Sequence, residues 1–498
     1  MDKLYLKDYF KQPIDERKAY KAWNNEPDEK KKKKLYKKLL KIRGIYTVTT
    51  EDKHGNKTTE YKISERLFTK YILSCFFTVF ISGSVMFYNW KKHKYEYLGE
   101  QYYLAMFKQL IDDRMETLWN SNTEKLYHSR FLRDIPIKLK EWHIPVDYIV
   151  FENGCFKIST GEFFEGDHPE VIINMCCTGY SYDADATCVN FKAFLENVFN
   201  GDKDLIAVAQ EMAGYTLMYG ANPLQVITLL IGSGRNGKGV FANIISKVNG
   251  EENVSAVPVQ KFNDRFSLSG LSSKVLNISS ENEEAVSMNT SVIKSLSGND
   301  ILMTERKFKD SIPERLFCKL WISTNDIVFS DTSIGIEERL VPLVFKNTYV
   351  NNPVPGTNQR ARDNDLESKL SHELAGIFNF CYEGLVRLRN NNWKITDSEE
   401  VRKQRQFLVE ASNPVRLFMR TMIVPKEGEI ISKSQVFKKY KDWSTENKVN
   451  VGSISSPQKF YPKFEAELDS RGMAKKIKRI KGINYYSDFE LNSRMHIW

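Results

Sequence analysis

The sequence has few cysteines, and no two of them have the spacing of a metal site. The seven cysteines stand at positions 75, 155, 176, 177, 188, 318 and 381, without a Cys-x-x-Cys pair. A zinc ribbon needs such pairs, so we expect no metal site of this kind. An odd number of scattered thiols is typical of a reducing compartment, where cysteine acts as a small core residue. We therefore expect a cytoplasmic protein.

Long apolar runs are also scarce. The first eleven residues are charged and aromatic, unlike a secretory signal peptide. One uncharged stretch, Ile72 to Trp90, has 19 residues and barely the length that spans a bilayer. Polar residues interrupt it, and Ser82-Gly83-Ser84 predicts a turn between two buried strands. We therefore expect no membrane partner, with a span at this stretch as the alternative.

Acidic residues are in the minority at both ends of the chain. Residues 1–64 contain 18 Lys and Arg against 10 Asp and Glu, and residues 413–498 contain 17 against 9, a net charge of +8 in each segment. The whole chain carries +10, so the part between is slightly acidic. Two basic ends indicate binding to a polyanion, although two solvated surfaces without a partner are the alternative. The lysine-rich helix predicted at residues 30–43 either contacts DNA or only keeps the protein soluble.

No internal repeat divides the chain, but its 498 residues correspond to about three domains of roughly 100–200 residues. Residues 1–64 predict a helix and then a hairpin that turns at His54-Gly55-Asn56. Residues 65–200 predict mixed α/β structure. From the apolar strand Gln225–Ile231 to about residue 350, apolar strands alternate with helical patterns, which is typical of a parallel sheet. The predicted fold class is multidomain α/β.

A glycine-rich loop is the strongest motif of the sequence. The segment GSGRNGKG, from Gly232 to Gly239, follows an apolar strand and precedes the helical run Val240–Val248. Strand, loop and helix in this order predict a phosphate-binding loop, in which backbone N–H groups and a lysine hold a nucleotide. A glycine-rich turn without nucleotide is the alternative. The residues predicted to bind ATP are Gly232, Gly234, Asn236, Gly237, Lys238, Gly239 and Val240.

The last position of this motif departs from the usual pattern. The pattern Gly-x-x-x-x-Gly-Lys ends in Ser or Thr, whose hydroxyl binds Mg²⁺, whereas this chain has Gly239. A water molecule can replace the hydroxyl, so we still expect ATP and Mg²⁺ as cofactors. The departure puts the affinity for Mg²⁺ and the rate of hydrolysis in doubt.

Acidic residues follow the next apolar strand. The segment Lys274–Ser280 predicts a strand, and Glu281, Glu283 and Glu284 come directly after it. Phosphoryl transfer needs an acid beside the phosphate loop, for Mg²⁺ and for the attacking water. We expect Glu281 to be the metal ligand and the catalytic acid, with Glu283 as the second candidate. A solvated acidic loop is the alternative.

Two further polar residues complete the predicted catalytic set. Asn325 follows the strand Leu320–Thr324, where an amide can position water against the γ-phosphate, although it also suits an ordinary turn. Arg339 stands between a polar loop and an apolar run. In ring-shaped motors an arginine at this place reaches the γ-phosphate of the neighbouring subunit. A surface arginine paired with Glu337 or Glu338 is the alternative.

The C-terminal segment, residues 413–498, begins at the boundary Asn413-Pro414. Ser432–Lys448 predicts a helix with an apolar face, and Pro457–Ser470 a second helix. Two helices and a basic strand pair resemble a winged helix, whose second helix and wing bind DNA. A protein-docking or merely structural winged helix is the alternative. The candidate DNA-binding residues of the wing are Lys475, Lys476, Lys478 and Arg479.

The order of these motifs resembles that of superfamily 3 (AAA+-type) helicases. In particular, the series is similar to that of the phage, plasmid and poxvirus primase-helicase family. In this chain it consists of GSGRNGKG, KVLNISSENE, SLSGNDILMTERKFKD, LWISTND and an arginine ahead of LVPLVF. The stretch from Asn153-Gly154 to Asp185 resembles the helical domain before the motor in that family. The resemblance covers roughly residues 145–350. Self-loading replication helicases of mobile islands, such as staphylococcal pathogenicity islands, are similar in the same way.

The resemblance implies a homohexamer that encircles DNA in a bacterial host, with ATP at the subunit interfaces. It also implies roles for single residues: Glu281 as the Walker B acid, Asn325 as sensor 1 and Arg339 as the arginine finger. Between Asp300 and Asp310 the family has a hairpin that projects into the pore. Here that hairpin presents Arg306, Lys307, Phe308 and Lys309, which suit phosphates and a base, although a basic surface hairpin is the alternative. Residues 1–145 lack a convincing primase acid cluster, so we expect no primer synthesis.

The residue patterns and the resemblance together divide the chain into six segments. These are a basic N-terminal extension (1–64), a mixed α/β domain (65–145), a helical domain before the motor (146–215), the P-loop motor (216–350), a helical lid or linker (351–412) and a winged-helix DNA-binding domain (413–498). The expected function is an ATP-dependent replicative DNA helicase. The alternatives are an origin-binding initiator whose ATPase is an assembly switch, and a DNA-packaging or transport ATPase.

Overall fold

The computed structural model describes most of the chain. The described residues are 4–81, 83–111, 115, 118–139, 147–169, 176–220, 222–280, 286–288, 290–305, 311–324, 327–329, 334–447, 452–470, 477–480 and 482–492. Along the chain they form three regions, the N-terminal, the middle and the C-terminal region.

The described residues of the N-terminal region form six α-helices and six strands. They are α1 (Leu4–Tyr9), α2 (Ile14–Asn24), α3 (Glu29–Ile42), β1 (Ile45–Glu51), β2 (Lys57–Ile63), α4 (Glu65–Cys75), β3 (Thr78–Ile81), β4 (Ser84–Asn89), β5 (Lys94–Tyr97), α5 (Glu100–Lys108), α6 (Ser121–Asp134) and β6 (Ile137–Leu139). Strands β1 and β2 form an antiparallel hairpin. The other four form a sheet in the order β5-β4-β3-β6.

The predicted turns of this region are confirmed. The segment 52–56 connects β1 to β2, with Gly55 at φ +81°. Strands β3 and β4 are antiparallel on either side of Gly83, which also has a positive φ. The uncharged stretch therefore consists of the end of α4 and two strands. Among the described residues, no helix combines the length and the apolarity that a bilayer crossing requires.

Besides a small cluster of Val79, Ile81 and Met86, the described N-terminal residues form one large core. Its buried apolar side chains range from Tyr9 to Ile135, so the basic segment before residue 64 packs on the same core as the mixed α/β part after it. Aromatic rings fill its centre, and Phe68, Phe87, Phe107 and Phe131 have no exposed surface. Such rings bury large apolar areas and pack edge to face, as Phe107 and Phe131 do at 4.8 Å.

The middle region is the largest. It consists of β7 (Tyr148–Phe151), β8 (Gly154–Lys157), β9 (Glu162–Glu165), α7 (Val189–Val198), α8 (Lys203–Thr216), β10 (Ile227–Ile231), α9 (Lys238–Asn249), β11 (Val254–Ser255), β12 (Leu276–Ser280), β13 (Val286–Met288), α10 (Thr290–Ser297), β14 (Ile301–Thr304), β15 (Ile312–Arg315), β16 (Lys319–Thr324), β17 (Ile327–Phe329), α11 (Ile334–Glu337), β18 (Leu340–Val344), β19 (Thr348–Val350), β20 (Gln359–Ala361), α12 (Leu366–Ser371), α13 (Leu374–Asn390) and α14 (Glu399–Ser412).

A five-stranded sheet organises this region, in the order β11-β12-β16-β10-β18, and every pair in it is parallel. The predicted parallel sheet is thus confirmed. All five residues of β10 are buried, because both faces of the sheet are covered. The polar sequence of residues 353–364 predicts a loop, and this prediction is wrong in part, because the segment contains β20, which pairs with β19. Backbone pairing there needs no apolar pattern.

Alternate strand residues face two separate cores. Leu230 and Trp321 belong to the core formed with α7, α8, α9 and α13. Leu229 and Ile322 face the other core, which includes residues of α10 and Leu408 of α14. This alternation follows from the two-residue period of a strand. The helices that precede the sheet and those that follow it therefore share its cores.

The C-terminal region consists of α15 (Pro414–Met422), β21 (Ile423–Ser432), α16 (Lys433–Glu446), α17 (Pro457–Ser470), β22 (Ile477–Ile480) and β23 (Ile483–Leu491). The strands form an antiparallel sheet in the order β21-β23-β22. The predicted helices and strand pair are confirmed. Asn413 caps α15 through hydrogen bonds from the N–H groups of Val415 and Arg416. Phe418, Tyr440 and Trp443 lie in a core of this region's own residues.

Candidate functional site

The glycine-rich loop, residues 232–239, lies at the carboxyl edge of the five-stranded sheet. It leaves the buried strand β10 after Ile231 and enters α9 at Lys238. Gly237 occupies the N-cap position, and its carbonyl oxygen accepts a hydrogen bond from Phe241 N at 2.9 Å. The loop therefore joins the end of a central strand to the N-terminus of a helix, where free N–H groups favour an anion.

The backbone of the loop explains its glycines. Gly234 and Gly237 have φ values of +91° and +92°, a left-handed conformation that residues with a Cβ rarely adopt. A Cβ at Gly232 would lie 1.9 Å from Asn236 Nδ2 and 2.6 Å from the carbonyl oxygen of Phe345. Each of these three glycines is thus required by the path of the chain.

Asn236 holds the loop from inside. Its side chain is buried, and Nδ2 donates to the carbonyl oxygen of Phe345 at 3.4 Å. Its Oδ1 accepts from the N–H of Lys238 at 3.3 Å. The side-chain amide is therefore occupied by hydrogen bonds within the protein. If this residue contacts a ligand, it does so through its backbone.

Lys238 is the cation of the loop, and it is buried. Its Nζ donates to the carbonyl oxygen of Thr324 at 2.9 Å and also to that of Gly232. Thr324 ends β16 and Gly232 follows β10, so the ammonium group lies across the carboxyl ends of two neighbouring strands. An anionic ligand at this edge would add an ion pair with the ammonium group.

Gly239 has room for a side chain. A Cβ built there meets no atom within 4 Å. The absence of a hydroxyl at this position is therefore not imposed by packing.

A cavity of about 250 Å³ adjoins the loop. Its walls come from α7, the loop, the first turn of α9, β19 and the segment 362–367, which are far apart in the sequence. Apolar and aromatic side chains alternate with a few polar ones. The lining residues are Phe194, Arg235, Gly237, Val240, Tyr349, Arg362, Asp363, Asn364, Leu366 and Glu367.

Hydrogen bonds brace the polar rim of the cavity. Tyr349 OH donates to Asn197 Oδ1 at 2.6 Å, and burial raises the pKa of this tyrosine. Lys369 donates to Asp363 Oδ2 at 2.7 Å and lowers the pKa of that exposed carboxyl group. Glu367 accepts from Asn243 Nδ2 at 3.1 Å. These contacts fix α12 and β19 against the loop side of the sheet.

Sequence analysis missed most of the cavity. Phe194, Tyr349 and Asn364 belong to α7, β19 and a turn, and no motif marks them. Tyr349 N donates to the carbonyl oxygen of Arg235 at 2.7 Å, so β19 is tied directly to the loop. The only signal that the sequence offered was the aromatic character of residues 191–199, which is equally typical of a core helix.

Three predicted catalytic residues, Glu281, Glu283 and Asn325, lie outside the described residues. The strands that precede them are described. Ser280, the last residue of β12, pairs with Ser323 of β16, whose next residue contacts Lys238. The described strands β12 and β16 therefore end at the same edge of the sheet as the loop.

Arg339 lies at the other edge of the sheet. It precedes β18, and its carbonyl oxygen accepts from the N–H of Ile227, the first residue of β10. Its Nε donates to Ser297 Oγ and its NH2 to Gln225 Oε1, each at 3.1 Å. These contacts fix the guanidinium at the amino edge, so the structure does not bring Arg339 together with Lys238 within one chain.

The predicted DNA contacts are described only in part. Strands β14 and β15 form an antiparallel hairpin where one was expected. Its residues Arg306, Lys307, Phe308 and Lys309 lie outside the described residues, as do Lys475 and Lys476. Lys478 lies in β22, but its side chain is outside the described part. Arg479 lies in the same strand and is exposed.

Comparison with known proteins gives two family matches and remote structural likenesses. Two apo structures of the C-terminal region of NrS-1 align with this chain at 11% sequence identity. The first alignment covers 91% of this chain and 98% of the NrS-1 chain, with a TM-score of 0.47. The second covers 83% of this chain and 96% of the NrS-1 chain, with a TM-score of 0.44. Likenesses this remote carry no further conclusion. Residues 230–339, which include the glycine-rich loop and Arg339, match a family of unknown function, DUF5906. Residues 86–200 match the family described as D5 N terminal like, and this match includes the stretch 153–185 that resembles the domain before a primase-helicase motor.

Proposed function

We propose that this chain is an ATP-dependent DNA helicase of the superfamily 3 type, which works as a ring of identical subunits, six by the resemblance. The observation that carries the proposal is the position of Lys238. Its ammonium group lies against the carbonyl ends of two neighbouring parallel strands, at the N-terminus of α9 and beside a cavity. A helix N-terminus, a lysine and a strand edge together suit the phosphates of a nucleotide.

The residues of the loop fit the phosphates of ATP. Backbone N–H groups of the loop and of the first turn of α9 are donors for phosphate oxygens, and the positive φ values curl the loop so that its N–H groups can converge. Lys238 would exchange its carbonyl partners for phosphate. Because phosphate is an anion and a carbonyl group is neutral, the ammonium group gains an ion pair in this exchange, which favours binding.

The adjoining cavity fits the nucleoside. Apolar walls with a few fixed polar groups are typical of small-molecule sites. Val240 and Leu366 provide apolar surface, Tyr349 an aromatic ring, and Asn364 both a donor and an acceptor for a base edge. Gly237 lines both the loop and the cavity, so phosphates and base can be held at the same time.

Hydrolysis needs Mg²⁺ and a positioned water molecule. We assign Glu281 as the metal ligand, Glu281 or Glu283 as the catalytic acid, and Asn325 as the residue that orients water. The order of the strands supports this assignment, since β16 lies next to β10 and β12 lies next to β16. Bound Mg²⁺ would neutralise charge on the phosphates. Because Gly239 has no hydroxyl, a water molecule would take the place of that ligand.

The position of Arg339 supports a site shared between subunits. The arginine lies at the amino edge of its own sheet, so a role as an arginine finger requires the site of another copy. A finger supplied in trans stabilises charge in the transition state. A ring whose interfaces each hold one nucleotide meets this requirement.

Two elements are proposed to contact DNA. The hairpin β14–β15 would present Arg306, Lys307, Phe308 and Lys309 to a strand in the pore. The C-terminal region has the order helix, strand, two helices, two strands, with its sheet in the order β21-β23-β22. This order supports a winged helix, with α17 as the recognition helix and Arg479 in the wing. The D5 N terminal like match agrees with a replication role.

A second function is favoured by Gly239. Since the space beside it is open, the loss of the hydroxyl is a feature of this chain rather than a packing requirement. A weakened ATPase suits an origin-binding initiator, in which ATP promotes assembly and another enzyme unwinds the DNA.

Strand displacement on a forked duplex tests the proposal. Wild type, Lys238→Ala and the control Lys203→Ala, which removes an exposed lysine outside the cavity, are compared with ATP and Mg²⁺. We expect unwinding by wild type and by the control, and a loss on the order of 100-fold or more in Lys238→Ala.

The same three proteins distinguish the two functions. If none of them unwinds the duplex while all bind DNA, the helicase proposal is wrong. If, in addition, ATP promotes assembly of wild type but not of Lys238→Ala, the initiator is favoured. Thermal unfolding of the three proteins shows whether Lys238→Ala has lost its fold.

A further inference from the structure

Helix α3 carries one face made of lysine. The face is defined by Lys30, Lys33, Lys34, Lys37, Lys38 and Lys41, all of them exposed, and we call it the lysine face. The row Lys30, Lys33, Lys37 and Lys41 has spacings of three and four residues, and Lys34 and Lys38, four apart, lie beside it, so all six share one side of the helix. At about 1.5 Å per residue the face is roughly 16 Å long.

Acidic residues do not interrupt this face. From Lys30 to Thr50 the sequence contains no Asp or Glu. Asp28 and Glu29 are at the start of the helix, where Asp28 caps it by accepting from Lys31 N at 2.8 Å. The six ammonium groups therefore repel one another, and folding of the helix gains nothing from their proximity. A polyanion would remove this repulsion.

The opposite face of α3 is fixed to the protein. Leu39 and Leu40 are buried, with 4% and 3% of their surface exposed. Tyr36 packs on the same core, and Lys32 lies over the ring of Trp23 in α2, 5.7 Å from its centroid. Because the apolar side is already covered, this helix has no free apolar face to insert into a membrane.

A buried ion pair holds the end of the helix. Arg43, which caps α3, donates to Glu16 of α2, whose carboxylate has no exposed surface and also accepts from Tyr71 OH at 2.7 Å. Arg43 NH1 donates further to the carbonyl oxygen of Leu110 at 3.1 Å. The lysine face is thus presented by an anchored helix rather than by a loose tail.

The hairpin that follows α3 adds exposed aromatic rings. Strands β1 and β2 expose most of their side chains, including Tyr46 and Tyr61, at 46% and 39%. Large aromatic side chains on a polar, threonine-rich hairpin are a common stacking surface for unpaired bases. Acidic residues of this hairpin, Glu51, Asp52 and Glu60, lie outside the lysine face.

We propose that the lysine face of α3 binds the phosphate backbone of DNA, as a site separate from the pore hairpin and the C-terminal region. The proposal rests on the proposed function in one respect, since that function names DNA as the polyanion. Lysines are point charges, so they track phosphates without reading the sequence of bases. An anchored row of this length spans several phosphates.

Salt dependence gives the expected size of the effect. Each phosphate neutralised on a duplex contributes about −0.9 to the slope of log K against log salt. Replacing Lys34, Lys37 and Lys41 by Gln should therefore flatten the slope by about 2 to 3 and weaken binding at least about tenfold at low salt.

The test uses the full chain without ATP and a fluorescently labelled DNA of mixed sequence. The variant with Lys34, Lys37 and Lys41 changed to Gln is compared with a control in which Lys108, Lys125 and Lys203, also exposed, are changed to Gln. Both lose three positive charges, so a general charge effect appears in both. We expect the loss of affinity and the flatter slope in the first variant only.

Three outcomes overturn the proposal. In the first, the lysine variant binds DNA as tightly as wild type. In the second, the control loses as much DNA affinity as the lysine variant. In the third, the lysine variant binds DNA normally but loses binding to vesicles of anionic phospholipid. Basal ATP hydrolysis and strand displacement are measured on the same proteins. If wild type fails to unwind but the lysine variant still loses DNA affinity, the helicase proposal fails and the lysine face stands.

Discussion

Lys238 and Arg339 lie at opposite edges of the same parallel sheet, although the strands beside them, β10 and β18, are neighbours. Ile227 pairs with Leu340 and Ile231 with Val344, so the loop begins where these strands end and Arg339 precedes their beginning. Five strand residues at about 3.3 Å each separate the two positions by roughly 17 Å. One chain therefore cannot place both residues on one phosphate group.

This separation makes a prediction about mixed rings. Lys238→Ala and Arg339→Ala should each lose ATPase activity, the second by on the order of a thousandfold, as for an arginine finger. In an equal mixture, an Arg339→Ala subunit next to a Lys238→Ala subunit forms one intact interface. We expect about a quarter of the wild-type ATPase, because random assembly pairs the two in this order at that frequency.

The mixture carries its own control. A variant that had only lost its fold would not rescue the other, and an arginine that acted within its own subunit would leave the mixture inactive. An inactive mixture of two folded variants would thus contradict a shared site.

The open space at Gly239 predicts a gain of function. In Gly239→Ser the hydroxyl should lower the Mg²⁺ concentration needed for half-maximal ATPase activity, since it supplies a ligand otherwise taken by water. Gly239→Ala is the matched control: it stabilises the helix by about 0.5–1 kcal/mol without adding a ligand. Titration of Mg²⁺ should separate the two, and identical midpoints would show that the serine does not reach the metal.

Asn364 should help the cavity to choose its base. It is exposed, so Asn364→Ala should fold normally. Loss of one hydrogen bond of about 0.5–1.5 kcal/mol should raise KM for ATP about two- to tenfold and leave kcat nearly unchanged. Asp365→Asn, which changes an adjacent exposed residue outside the cavity lining, is the control. The preference for ATP over GTP should fall in the first variant only; an unchanged KM would exclude Asn364 from the nucleotide site.

Lys319 predicts a dependence of stability on pH. It is buried at the amino end of β16, donates to the carbonyl oxygen of Phe317 at 3.3 Å and to that of Met218 at 2.5 Å, and burial lowers its pKa to about 7. Between pH 7 and the ordinary pKa of 10.5 the unfolded chain binds more protons than the folded one, so this lysine makes stability rise with pH.

Replacement of this lysine should remove that contribution. The Tm of Lys319→Met minus the Tm of wild type should therefore be higher at pH 7 than at pH 10. Lys203→Met, which replaces an exposed lysine, is the control. A difference that did not change with pH would show that the lysine is charged in the folded protein throughout this range.

Local patterns were sufficient for the elements that consecutive residues form. The loop between β10 and α9 was predicted because strand, glycines, lysine and helix are contiguous, and their conformation depends mainly on neighbouring residues. The same holds for the turns at Gly55 and Gly83 and for helices α16 and α17. Strand β20 escaped prediction because its pairing with β19 uses backbone groups, which leave no mark in side-chain pattern.

The sequence by itself determined the glycine-rich loop, the alternating strands of a parallel sheet, the basic ends and the lysine run, because each depends on residues close together in the chain. Tertiary structure alone decided which distant residues line the cavity, and that the basic N-terminal segment packs on the core of residues 9–135. It also decided that Arg339 lies at the edge opposite Lys238. The physical reason is that sheet order and register, which bring Phe194, Tyr349 and Asn364 to one loop, are set by long-range packing rather than by local conformational preference.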